Sequence, residues 1–225
     1  MCGRFTLRSS RRVKLEVARN LDLPLEPRYN IAPSQNVLTI GDFGAGLEAR
    51  LLKWGLIPSW SSAEKGFINA RAETLEEKAS FRESFQRRRC LIPADGFYEW
   101  QRSGKIAQPY FFHMRDESPF AFAGIWDEWK GDGKAIASCA IITTTANELL
   151  ASVHDRMPVI LSSESQDQWL DDDFEPVTLR NLLVPFPASE MASHAVSYDV
   201  NHPKIDDEYL IKAVVPNIGV TPSLF

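Results

Sequence analysis

The most informative residue in the sequence is the second. Methionine is trimmed where the next side chain is small, so Cys2 is expected to become the first residue once Met1 is removed. It would then carry an α-amine and a thiol on adjacent carbons. The amine has an unperturbed pKa near ~8 and the thiol near ~8.5, so a modest fraction of each is nucleophilic at neutral pH. An aldehyde meeting such a 1,2-aminothiol forms a Schiff base with the amine, and the thiol then closes on the imine to give a five-membered thiazolidine. Gly3 leaves that end of the chain sterically open. A Met-Cys start alone says little, because most such termini have no catalytic role.

Three further segments hold groups that suit acid, base or positioning work. In Ile68–Thr74 an amide, Asn69, and a guanidinium, Arg71, stand two residues apart just before a capped helix. In Ala94–Trp100 the carboxyl of Glu99 lies between Tyr98 and Trp100 in a strand-like run, where desolvation should raise its pKa toward the general acid/base range. In His154–Pro158 an imidazole stands beside charged groups at a loop. Each has a plainer reading: Asn69 capping a turn, Glu99 paired with Arg71, His154 as a helix C-cap. Two other classes use the same residues. Cys2, His154 and a polar partner form a nucleophile–base–orienter set for a cysteine peptidase, although no oxyanion-hole signature accompanies them. A non-catalytic reader of modified DNA would stack bases on Trp60, Tyr98 and Trp100, which otherwise read as core aromatics.

The elements that must carry these groups read as many short strands and few long helices. Ser9 or Ser10 caps a first helix through about residue 20, with Val13, Val17 and Leu21 at helical spacing. Residues 23–33 hold three prolines and read as loop. Strands are expected over 37–40 and 47–56 around the GDFGAG turn, then over 90–93, 96–100, 110–114, 120–126, 135–143 and 159–161. Thr74 with Glu77, and Ser80 with Glu83, fit the capping-box pattern and predict short helices over about 75–79 and 81–87. Further helices are expected over 147–153, 163–170 and 178–182. The tail from Ala195 resists assignment. The sum is a single α+β domain with a mainly antiparallel, barrel-like sheet core and short flanking helices. No GxGxxG with βαβ alternation and no P-loop appears, so a nucleotide-binding α/β fold is excluded.

Composition fits that picture: 44% hydrophobic and 24% charged residues in 225 suit a globular chain large enough to bury its own core. No apolar stretch reaches membrane-spanning length and the first residues lack an apolar signal-like run, so the cytoplasm is the expected location. The three cysteines, Cys2, Cys90 and Cys139, have no CxxC or His/Cys zinc spacing, so neither a metal nor another cofactor is expected. Cys90 and Cys139 sit in apolar runs and read as packing residues, whereas Cys2 has no such setting. The net charge of −5 is uneven. Residues 1–100 carry 16 Lys+Arg against 12 Asp+Glu, and the rest carry 9 against 18. That asymmetry fits a local phosphate-binding face on an acidic body. On charge alone, solvated helix faces are the simpler explanation.

Five segments in order, MCGRF, RYNIAPSQ, FINARAET, IPADGFYEW and SVHDRMPVIL, resemble the SRAP family (SOS response-associated peptidase, the abasic-site processing proteins). The resemblance is firm from Cys2 to about Leu161 and weaker to Val196–Asn201. It implies a bacterial-type single-domain member that uses neither metal nor membrane and acts as a monomer on single-stranded DNA containing abasic sites. By resemblance Cys2 is the nucleophile, Asn69 positions the terminal amine and the opened sugar, Glu99 is the acid/base and His154 stands near the sugar ring oxygen. Arg4, Asn30, Pro33, Arg71, Thr143 and Arg156 match positions that line the DNA groove in relatives. One departure stands out. Some members carry tandem tryptophans before the INAR motif, whereas here Trp60 stands alone before Ser61-Ser62, so the wedge that separates bases is built differently.

Overall fold

The computed structural model describes residues 2–8, 26–104, 106–171, 173 and 175–216. The helix expected after Ser9 lies outside them. The first strands are β1 (Phe5–Leu7), β2 (Arg28–Ile31), β3 (Asn36–Asp42) and β4 (Leu47–Trp54). The β3–β4 hairpin turns at the expected GDFGAG segment. Gly44 and Gly46 take left-handed φ values of 101° and 94°, and the Asp42 carboxylate accepts both of their N–H groups. Then follow β5 (Asn69–Arg71), α1 (Arg82–Arg87), β6 (Arg89–Ala94), β7 (Gly96–Ser103), β8 (Ile106–Met114), β9 (Phe120–Gly131) and β10 (Lys134–Thr145). The chain continues through α2 (Glu148–Ala151), β11 (Arg156–Pro158), β12 (Ile160–Leu161), α3 (Ser163–Leu170), α4 (Pro176–Asn181) and β13 (Met191–Ala195).

Two sheets result. One runs β13-β8-β7-β1-β2. In the other, β10-β4-β3-β6-β9 closes on itself through the β9–β10 pairing, giving a five-stranded barrel, with β11, β12 and β5 attached at its margins. Most pairings are antiparallel, and the closing β4–β10 contact is parallel. Closure leaves those five strands no open edge. Aromatic side chains join the two sheets: Phe5 of β1 meets Trp54 of β4 at 5.1 Å and Phe122 of β9 at 5.7 Å between ring centroids, and Phe97 of β7 also meets Phe122. Cys90 and Cys139 are fully buried in this core, and Cys139 is pushed up to about 12 by burial.

Three local expectations give way. The proline-bearing stretch contains β2, because the prolines flank Arg28–Ile31 rather than interrupt its ladder with β1. The Thr74–Glu77 pattern yields only a 3-10 turn over Ala72–Thr74. The helix near Ser80 has Phe81 at its N-cap with no side-chain cap, so neither capping box forms. By contrast Asn147 caps α2 by accepting from the Leu150 N–H, and Ser162 caps α3 in the same way.

Candidate active site

β1 is placed by its partner β7. Phe5 faces Phe97, Thr6 faces Gly96, and the Tyr98 N–H donates to the Arg4 carbonyl at 3.0 Å. Continuing that register carries Gly3 and Cys2 alongside Glu99 and Trp100. Asp95, itself buried, fixes the far end of the strand: its carboxylate accepts the Thr6 hydroxyl and the Arg8 N–H, both at 2.5 Å, and pairs with the Arg8 guanidinium. A Cβ at Gly96 would collide with the Phe111 ring, so glycine is needed there for β7 to lie flat against β8.

β5 approaches from the barrel. It pairs in parallel with β10, Asn69 opposite Ile141 and Arg71 opposite Thr143. From this position the Asn69 amide donates to the Cys2 carbonyl at 2.9 Å. Asn69 thus sits in a strand rather than capping a turn, and its Oδ1 is buried without a hydrogen-bond partner among the described residues. His154 enters from the turn after α2. Its N–H closes the helix end on the Leu150 carbonyl at 2.9 Å, so it ties down the turn after α2, whose C-cap is Ser152 rather than His154. Its ring Nδ1 accepts the Arg156 N–H at 2.9 Å.

Electrostatics tie these groups together. Glu99 is 2% exposed. Burial pushes its carboxyl above the usual range, opposed in part by the positive charge His154 can carry. That is the direction expected from its place between aromatics. Cys2 departs from expectation. It is fully buried and packs with the core, and burial, followed by the Glu99 charge, pushes its thiol far up. The thiolate fraction at neutral pH is therefore much smaller than an exposed cysteine would have. Cys2 and Glu99 are enclosed, whereas Asn69 and His154 are half-buried.

The remaining candidates scatter. Arg71 is exposed at the end of β5, Trp60 is 63% exposed on the turn after β4, and Pro33 is half-buried on the β2–β3 turn. Arg4 is half-buried, donates Nη1 to the Gly3 carbonyl, and keeps a buried Nε with no partner among the described residues. Asn30 offers no surface to a strand. It is fully buried, and its amide nitrogen is shared among the carbonyls of Val200, His202 and Ile205. Thr143 is likewise fully buried. Arg156 is almost buried and spends its guanidinium on a bidentate pair with Glu73, at 2.6 and 2.8 Å, and on the Thr143 carbonyl. Tyr98 is buried with its hydroxyl on the Tyr29 carbonyl, so it stacks no base. Sequence reading missed Glu73, whose partner lies 83 residues away with nothing local to announce it. A cavity of about 560 Å³ beside Phe120 and Gln166 is not lined by Cys2.

Two mainly antiparallel sheets, with Asn69 of one hydrogen-bonded to Cys2 beside the other, mark the class of fold. The family model described as SOS response associated peptidase (SRAP) matches residues 1–203, and the chain belongs to this family. It is 46% identical over 224 residues to the abasic site processing protein YoqW of Bacillus subtilis (strain 168), covering 95% of this chain and 100% of that one. It is 30% identical to the abasic site processing protein YedK of Escherichia coli (strain K12), over 95% of this chain and 100% of the relative. A crystal structure of a Bacteroides thetaiotaomicron protein superposes with a TM-score of 0.85 at 29% identity, covering 95% of this chain and 100% of that one.

Proposed function

We propose that this chain processes abasic sites by capturing them covalently in single-stranded DNA through Cys2, once Met1 has been removed. The observation that carries the reading is the Asn69–Cys2 hydrogen bond beside a buried Glu99 whose carboxyl is raised toward neutral pH. The relatives named above are abasic site processing proteins by name, which supports the substrate class.

The abasic sugar opens from its closed hemiacetal with a proton from His154 to the ring oxygen. Glu99 takes a proton from the Cys2 ammonium, and the free amine attacks C1′. Asn69 Oδ1, lacking another partner among the described residues, accepts from that ammonium and holds it in line. Glu99 returns its proton as the carbinolamine loses water, leaving an imine. The buried thiol then adds across the C=N bond. Its sulfur bonds to C1′, its proton leaves through Glu99, and the imine nitrogen gains one. The net reaction joins an aldehyde to an aminothiol with loss of one water and no change of oxidation state. Because the thiol is held protonated by burial, proton removal by Glu99 belongs to ring closure as well as to amine attack. The imine also acidifies C2′, so β-elimination competes weakly until the ring closes, and Glu99 can run the sequence backwards.

Arg4, Arg71 and Pro33 are the positions we assign to the strand, with Trp60 exposed for stacking. Phosphate contacts there would position the strand without reading its sequence. An aldehyde inside a stacked duplex is poorly reachable, which favours single strands. The test is a denaturing gel of abasic single-stranded oligonucleotide with the trimmed protein. A heat-stable shifted band supports the reading. Its absence, or its persistence when an extra residue follows Met1, contradicts it.

A further inference from the structure

His154 Nδ1 is contested. The Arg156 N–H donates to it at 2.9 Å, and a carboxylate oxygen of Asp155 also stands 2.9 Å from it. A backbone N–H can only donate, so while that bond lasts Nδ1 must offer a lone pair and the ring proton of a neutral imidazole sits on Nε2. A carboxylate can only accept, so it is satisfied at Nδ1 only when that nitrogen bears a proton. The two partners therefore favour different proton forms of one ring.

Their freedom to move differs. The Arg156 backbone is held in the β10–β11 ladder opposite Thr145, and its side chain is pinned by Glu73 and Thr143. The Asp155 carbonyl is fixed by the Ala146 N–H, but its side chain is 87% exposed, with no packing to hold it beyond the His154 contact among the described residues. Among the described residues, Glu99 from β7 and the adjacent Asp155 bear on the ring, while the Arg156 guanidinium pairs with Glu73.

The chemistry makes the choice consequential. A neutral Nε2–H ring that gave up its only proton would become an imidazolate, which is out of reach near neutral pH. To protonate the sugar ring oxygen, His154 must start as imidazolium, with protons on both nitrogens. We propose that Asp155 is a positioning residue that accepts the Nδ1 proton of His154 and so holds the ring in its acid form for opening of the abasic sugar. This rests on the capture reading above. In that step the C1′–O4′ bond breaks, its electron pair goes to O4′ together with the Nε2 proton, the C1′ hydroxyl passes its proton to water as the carbonyl forms, and His154 is left neutral with its remaining proton on Nδ1, donated to Asp155.

The test compares two aldehydes with the trimmed protein: an abasic single-stranded oligonucleotide, which must open, and propanal, an aldehyde with no ring to open. Asp155→Asn should slow capture of the oligonucleotide by about twofold to fivefold, the range an exposed ion pair supplies, and leave capture of propanal unchanged. Asp155→Glu, which keeps the carboxylate, should restore the rate. Equal slowing of both aldehydes, or no recovery with Asp155→Glu, would overturn the proposal. If the unsubstituted protein captures propanal but not the oligonucleotide, or neither, the capture reading itself falls and takes this inference with it.

Discussion

The side-chain amide of Asn69 donates to the backbone carbonyl of Cys2 at 2.9 Å, locking β5 to the residues ahead of β1 across 67 positions of sequence. The backbone at Cys2 is thus held by a strand of the barrel margin. Removing that amide tests the lock. Asn69→Ala should slow capture by about tenfold to a hundredfold through misplacement of the amine. Its stability cost should stay near about 1 kcal/mol, the worth of one hydrogen bond. Single-turnover gel kinetics and a urea melt separate the two effects.

Glu99 should trade stability for activity. Burial raises its carboxyl, so the folded chain holds that proton more tightly than the unfolded chain. The stabilisation is fully present below the unfolded value of about 4.3 and is lost as pH rises through the folded value. Glu99→Gln removes the charge that burial penalises. Its Tm should match the unsubstituted protein in acid and exceed it increasingly as pH rises, while capture falls by about 10²–10⁴-fold. Thermal melts across pH, read beside the gel assay, check both halves.

For Glu73 the sign reverses. The Arg156 hydrogen bonds hold its carboxyl below the usual range. The stabilisation is present above the unfolded value and disappears as pH falls through the folded one. Glu73 is half exposed, so solvent screens the pair and Glu73→Gln should cost only about 0.2–1 kcal/mol at neutral pH. The difference should vanish in acid. Chemical denaturation at two pH values measures it.

How much of this was legible beforehand depends on the range of the interaction. The strand runs of β6 to β10 follow from local hydrophobic patterning and turn residues, and α3 falls where Ser162 and the helical pattern put it. Barrel closure depends on β4 meeting β10 in parallel, a pairing between segments about 85 residues apart that no local period encodes. Capping boxes at Thr74 and Ser80 failed because tertiary packing of Phe81 and Leu75 in the core outweighs a cap. At the site, Glu99 was readable because its neighbours are aromatic. The burial of Cys2 was not, since it comes from β7 and β5 closing around it rather than from its own sequence setting.

Asn30 shows the same limit. The resemblance matched it to the DNA groove, yet it is a clamp for the segment after Tyr198, seconded by Asp206, which accepts the Tyr29 and Asn30 N–H groups. Asn30→Ala should cost about 1–3 kcal/mol, because buried carbonyls lose their donor. Amide exchange over 199–206 should quicken. Affinity for an intact single strand should not change in a binding titration.

The most direct measurement is the intact mass of the protein before and after incubation with abasic single-stranded oligonucleotide. The account predicts a starting mass without Met1, an adduct equal to protein plus oligonucleotide minus one water, and loss of the stable adduct in Cys2→Ala. A chain that keeps Met1 and still forms the adduct, or an adduct that is equally stable without the Cys2 thiol, would contradict it.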